Sequence, residues 1–303
     1  MSTAASAGAG TQRRAWIAWL AVCVIWGTTY LGIKVALETI PPFLMGGLRY
    51  VAAGIVLAAV LVMQRRPLPP TSDWGGLAIL GFFMFLFGNG GVVWGEQYVP
   101  SGLTAVLVGT SPFWMVGIDA MVTRGQQMFV RQWLGMLVGF LGMVLLVWPD
   151  ITAGGVTDRG FFAGVIALQI ACIGWAIGSA YTRRHVTPRD VLGAASLQML
   201  FGGLFMLLAG TALGEWGGLS FTPKTTVALV YLTLLGSVVA FAAYSYALRH
   251  LDVAVVSLYT YVNPVIAVAL GTILLDEPFH LRMLIAGAII LAGIVIVGPP
   301  KKS

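Results

Sequence analysis

The chain has 303 residues, of which 58% are hydrophobic and only 9% charged, and it carries a net charge of +6. An ordinary soluble domain has about 25% charged residues, so this composition excludes a water-solvated globule and makes the lipid bilayer the second solvent. A basic excess can signal nucleic acid, but the positions of the basic residues along this chain exclude that partner.

A helix needs about 20 apolar residues to cross roughly 30 Å of hydrocarbon, and its backbone groups must be bonded internally. Residues 1–14 form a small, polar tail ending in Arg13-Arg14. No small-residue cleavage site follows a short apolar core, so the first helix is expected to be retained. Spanning windows then follow at 16–36, 43–63, 74–95, 102–122, 130–148, 160–182, 190–214, 225–248, 253–275 and 281–298. When the connections are assigned alternately to two sides, twelve Lys and Arg residues fall on one side, from Arg13 and Arg14 to Lys301 and Lys302. Four fall on the other (Lys34, Arg159, Lys224 and Arg282), and Arg49 lies inside a helix, which accounts for all seventeen. Basic residues stay cytoplasmic, so both termini are predicted inside, with membrane lipid as the partner of the basic face. Cys23 and Cys172 both fall within windows and read as small packing residues.

The ten helices divide into two fives. A shift of 149 positions superimposes Cys23 on Cys172, Trp26 on Trp175, Leu48 on Leu197 and Gly54 on Gly203. A shift of 152 superimposes Trp94 on Tyr246, Pro112 on Pro264 and Gly135 on Gly287. The chain is therefore predicted as a cytoplasmic tail (1–14), a first repeat (15–150), a second repeat (151–299) and a short cytoplasmic tail (300–303). An odd number of spans per repeat makes the second copy enter from the opposite face. The fold class is thus an all-α integral membrane protein of ten transmembrane helices in two inverted five-helix repeats. In such folds the substrate site lies near mid-membrane between the repeats. Gly135 and Gly139, in small-xxx-small spacing, are expected to make a helix contact within the monomer, so no oligomer is required.

The C-terminal run "NPVIAVALGTILLDEPFHLRMLIAGAIILAGIVIV" and the first helix "VIWGTTYLGIKVAL" resemble the EamA family of the drug/metabolite transporter superfamily over essentially the whole chain. The resemblance implies a ten-helix bacterial inner-membrane carrier, mostly for efflux of small metabolites. One departure is that Glu277, the acid before the last helix, corresponds to Gly125 in the first half. Any role of that acid is therefore not shared by the repeats.

Candidate site residues follow from polarity inside the windows. Polar groups are costly against lipid and turn into the bundle. Trp26, Thr29, Tyr30, Asn89, Trp94, Ser111, Trp175, Ser179, Tyr244, Tyr259 and Asn263 are expected to contribute to a pocket with aromatic walls, although interhelical bonding or an interfacial aromatic belt is open to each. Pro112 and Pro264, near the middle of the fourth and ninth helices, each remove one backbone bond and are expected hinges. Ser111 and Asn263 could bond the freed carbonyls or a substrate. Arg49 is the one strong base inside a window, about 9 Å from the external end at 1.5 Å per residue. Its stem either snorkels outward or carries the guanidinium to a substrate carboxylate or an external acid.

No Asp or Glu lies near the centre of a window, so strict proton coupling through a buried carboxylate is not expected. The sequence holds no HExxH, GxSxG or Walker-type stretch, and the three histidines fall in connections. The expectation is a carrier with no enzymatic activity and no cofactor. It would export small metabolites, neutral amino acids above all, by alternating access. A multidrug or other efflux carrier of the same superfamily is the alternative, although a pump for cations would want a buried acid.

Overall fold

The computed structural model describes residues 2–99, 104, 107–123, 129–146, 148, 159–185, 191–263, 265–266 and 280–297. Each sequence window contains a described helical stretch. These are α1 (Ser2–Ala36), α2 (Pro42–Met63), α3 (Thr71–Gly95), α4 (Ser111–Thr123), α5 (Val130–Leu146), α6 (Arg159–His185), α7 (Val191–Ala212), α8 (Pro223–His250), α9 (Val253–Asn263) and α10 (Leu281–Val297). Six of them (α1, α2, α3, α6, α7 and α8) are long and apolar enough to cross a membrane, and α5, α9 and α10 are shorter apolar helices. Leu, Ile and Val side chains such as Ile17, Ile55, Ile79, Leu141, Ile166 and Leu208 are exposed along them, as helices bathed by lipid require. α1 begins well before the expected start, because the Ala-rich run from Ser2 continues the helix into the stretch read as a tail.

Local chemistry sets the helix ends. α2 starts on Pro41-Pro42, where the missing N–H has no intrahelical role. α8 starts with Pro223 behind a reciprocal cap in which Thr225 N–H donates to Thr222 Oγ1 (3.2 Å) and Thr222 N–H to Thr225 Oγ1 (3.0 Å). α7 is closed by Gly214 at φ 73°, the left-handed conformation that glycine adopts without strain. The residue 149 positions earlier, Arg65, closes α2 in the same way at φ 55° despite its side chain.

Further correspondences link the halves. α3 and α8 each contain an eight-residue π-helical segment, Phe82–Asn89 and Leu232–Val239, 150 positions apart. α2 crosses α7 at glycines in reciprocal contacts. A Cβ on Gly54 would lie 2.7 Å from Leu200 N and Ser196 O, and one on Gly203 would lie 2.5 Å from Val51 N and 3.0 Å from Gly47 O. Leu200 and Ser196 are themselves 149 positions after Val51 and Gly47, so the two contacts are one contact made twice. α5 packs on α10 through Gly135 and Gly139 against Gly293, within the monomer as expected. At one end of the bundle the α1–α2 and α7–α8 connections are tied together. Thr39 and Ser220 exchange bonds of 2.8 and 3.0 Å, and the Glu215 carboxylate accepts from Leu44 N–H at 2.9 Å.

The fourth span is not one kinked helix. Leu107 and Val108 are helical, Gly109 and Thr110 form a turn, and α4 restarts at Ser111. Pro112 therefore occupies the first turn of a helix, where its missing N–H is tolerated, and not mid-helix as the sequence suggested. Pro264 and the Asp276-Glu277-Pro278 stretch lie outside the described residues, as does the side chain of Tyr30.

The α2–α7 crossing leaves no room for a side chain. Gly203→Ala is expected to lower the stability of the purified protein by about 1–3 kcal/mol. Gly117→Ala, where a Cβ would meet nothing within 4 Å, should leave it unchanged; the melting midpoints of the two variants in detergent check this.

Candidate substrate cavity

A cavity of about 120 Å³ opens between α1, α2, α3, α4, α6, α8 and α9. A single ordered water needs about 10–15 Å³, so the space suits a solute on the order of ten heavy atoms. Eight of the expected site residues line it: Trp26, Thr29, Arg49, Asn89, Ser111, Trp175, Tyr259 and Asn263. Its upper wall reaches Ile33, Val92, Val93 and Val108, toward the end of the bundle where α1 and α3 finish.

Arg49 is 4% exposed, so its stem does not snorkel outward. Its Nε–H donates to Ser237 Oγ at 2.7 Å, and Ser237 Oγ donates in turn to Leu232 O at 3.1 Å. The guanidinium carbon lies 4.8 Å from the centre of the Tyr50 ring. No carboxylate pairs with Arg49 among the described residues. Gly236 makes its approach possible, because a Cβ there would stand 3.0 Å from Arg49 Nη2 and 2.9 Å from Thr29 Cγ2.

The irregular backbone is repaired by side chains. In the π-segment of α3, Asn89 donates Nδ2–H to Met84 O (3.2 Å) and accepts from Tyr50 OH (2.7 Å). In that of α8, Trp26 Nε1–H donates to Gly236 O at 3.0 Å. At the α4 restart, Ser111 Oγ–H donates to Val108 O at 2.5 Å, the carbonyl that Pro112 cannot reach. Gln169 Nε2–H donates to Leu107 O (3.2 Å), and Gln169 Oε1 accepts from Thr110 and Trp114 (3.0 Å each). With its amide oriented to suit its neighbours, Asn263 donates to Tyr259 O (3.0 Å) and Cys23 O (3.1 Å). Ser111 Oγ lies 3.2 Å from Cys172 Sγ. The residue before each proline thus touches the cysteine of the opposite half.

Four aromatic rings close the lower end. Trp26 packs edge-on against Trp175 (5.5 Å) and Tyr259 (4.9 Å), and Tyr244 sits beneath them, 5.2 Å from Trp26 and 5.4 Å from Trp175. A closed ring of bonds fixes this floor: Trp175 Nε1–H donates to Tyr244 OH (3.1 Å), Tyr244 to Ser179 Oγ (2.7 Å), and Ser179 to Trp175 O (2.7 Å). Ser179 and Tyr244, expected in the pocket, therefore support it from below. Trp94 is a correction. Its ring packs on Tyr98 (4.8 Å) near the end of α3 and does not line the cavity, as an interfacial aromatic would.

Sequence reasoning missed Tyr50, Phe85, Ser237 and Phe241, and it read Cys172 as packing although its side chain lines the cavity. The available signal for Ser237 was a hydroxyl directly after Gly236 near the middle of the eighth window. For Tyr50 it was adjacency to Arg49. Ser111→Ala should strand the Val108 carbonyl and lower stability by about 1–3 kcal/mol. That loss should shrink in a Pro112→Ala background, where a backbone N–H returns; a double-mutant cycle of melting midpoints measures the coupling.

Comparison with known proteins gives a consistent picture. The profile of the EamA-like transporter family matches twice, at residues 14–148 and 162–298. The chain is 35% identical over 280 residues to the uncharacterized inner membrane transporter YedA of Escherichia coli K12, covering 91% of this chain and 88% of that one. It is 24% identical to the uncharacterized transporter YvbV of Bacillus subtilis, covering 92% and 90%. It is 27% identical to a chloroplastic WAT1-related protein of Arabidopsis thaliana, covering 98% and 72%. A solved crystal structure has the same fold with a TM-score of 0.76 at 19% identity, covering 94% of this chain and 96% of that one. Two family matches that together span most of the chain, on a helical bundle with an apolar exterior, make this protein a member of the EamA-like transporter family.

Proposed function

We propose that the protein is a secondary carrier of the inner membrane. It exports small, partly apolar metabolites that bear a carboxylate, neutral amino acids among them. One observation carries this reading: a buried guanidinium with no carboxylate partner among the described residues lines an aromatic cavity inside the bundle. Burying an unpaired charge is expensive, and a ligand carboxylate is the group that would offset it, through the planar fork Arg presents. The aromatic floor offers the apolar remainder a surface. Inner-membrane placement follows the relative from Escherichia coli and the skewed distribution of basic residues. A carrier of cationic drugs would place a carboxylate at the cavity, and none of the described lining residues is Asp or Glu.

Transport proceeds by alternating access between two inverted repeats. The reciprocal Gly54 and Gly203 contacts, the paired π-segments and the matched Ser111–Cys172 and Asn263–Cys23 contacts support this reading. The cavity wall reaches Ile33, Val92 and Val93 near the ends of α1 and α3, which the charge distribution assigns to the outside, and the aromatic rings stand at the other end. In this reading the valine-lined end and the aromatic end are the two gates, and they exchange roles as the repeats exchange conformations.

In liposomes, the purified protein should catalyse counterflow of labelled Leu, Met or Phe. Arg49→Gln should weaken it about 10- to 100-fold, the range of one charge-assisted hydrogen-bonded contact, while remaining monodisperse. Failure of every amino acid to compete for entry would remove this substrate assignment. In a Cys23→Ala, Cys172→Ala background, a cysteine placed at Val92 should react with an impermeant thiol reagent from outside, and substrate should slow the reaction. Labelling from the cytoplasmic side alone would reverse the orientation.

A further inference from the structure

The charge count of the cavity goes further than the presence of an anchor, although it rests on reading Arg49 as that anchor. Arg49 is charged at every accessible pH. Its Nε–H is taken by Ser237, and it lacks an acidic partner among the described residues. The described lining residues contribute one positive charge and no negative one. The sequence windows at 102–122 and 253–275 hold a single acid between them, Asp119, and Asp119 is not among the lining residues.

A bound monoanion brings this chamber to neutrality. A zwitterionic amino acid does not: its carboxylate meets Arg49, but its ammonium arrives as a second cation a few bonds away. The net positive charge then stays in a low-dielectric space, where like charges repel strongly. The ammonium also has to shed tightly held water and find acceptors for three N–H groups. Two acceptors near the guanidinium already hold one bond each. Ser237 Oγ accepts from Arg49, and Asn89 Oδ1 accepts from Tyr50. Trp26 meets both Trp175 and Tyr259 edge to face, which covers part of the ring surface that could host a cation.

We propose that the cavity selects apolar monocarboxylic acids of net charge −1, such as 2-oxo acids and arylacetic acids, over the zwitterionic amino acids that carry the same side chain. The α-amino group is tolerated, not recognised. Chain length and ring size are read by the aromatic floor, and charge is read by Arg49.

The test is ligand-induced thermal stabilisation of the purified full chain, which measures binding without requiring transport. Four probes of one shape are compared: phenylpyruvate, phenylalanine, phenethylamine and phenylacetamide. Phenylpyruvate should reach half-maximal stabilisation at a concentration at least tenfold below that of phenylalanine, with no effect of phenethylamine. In Arg49→Gln the two acids should converge. If that variant does not fold, Arg49→Lys keeps the charge and should keep the preference. Phenylalanine binding as tightly as phenylpyruvate would overturn the charge-count inference and leave the carboxylate anchor standing. Stabilisation by phenethylamine or phenylacetamide alone, or by none of the four, would remove the anchor and the inference together.

Discussion

A guanidinium enclosed by lipid-embedded helices is costly to hold, and the structure around Arg49 is organised to hold it. α2 presents it inward because α2 is pinned against α7 by Gly54 and Gly203, where backbones touch without intervening side chains. α8 receives it through a π-segment that offers Ser237 as acceptor and Gly236 as clearance. Tyr50, the next residue on α2, lends its ring to the cation and its hydroxyl to Asn89 of α3. One charge thus ties three helices drawn from both halves of the chain, and the cavity is the space left on its unoccupied side.

Regular helices alone could not build that space. The two π-segments and the restart of α4 are departures from α-helical bonding, and each places residues on the cavity wall, while the π-segments turn Phe87, Leu234, Leu235 and Val239 outward. Irregular backbone at membrane depth is tolerated only where protein or a cavity covers it. π-bulges recur at functional sites for the same reason. Here the repair is explicit: Asn89, Trp26, Ser111 and Gln169 each donate to a carbonyl in or beside an irregular stretch. Those side-chain bonds, unlike the continuous backbone ladders of α2 and α7, can be exchanged without unwinding a helix.

Much of this was legible in the sequence, for a physical reason. Lipid demands long uninterrupted apolar runs, so the six long apolar helices announced themselves by composition, and the Gly54–Gly203 alignment coincides with a contact between α2 and α7. Arg49 stood out because a base inside such a run has few uses. Its direction did not, since snorkelling and inward pointing place the same residue at the same depth. Only the Gly236 clearance and the Ser237 acceptor decide between them. Trp94 was misplaced because an aromatic near a helix end can face the interface or the interior with equal ease. Ser237 and Tyr50 were passed over because a hydroxyl in an apolar run looks like a packing contact until its partner from another helix is known. The π-segments have no composition of their own, as the runs FFMFLFGN and LTLLGSVV read as plain helix.

The central claim is that Arg49 holds a carboxylate inside the bundle. A crystal structure of the protein soaked with 4-bromophenylacetate tests it most directly, because anomalous scattering from bromine locates the ring independently of the protein density. The account predicts carboxylate oxygens within about 3 Å of the Arg49 guanidinium, with the bromine lying against Trp26 and Trp175. Bromine beside Arg49, or an acid bound outside the cavity with Arg49 still bonded to Ser237 alone, would contradict it.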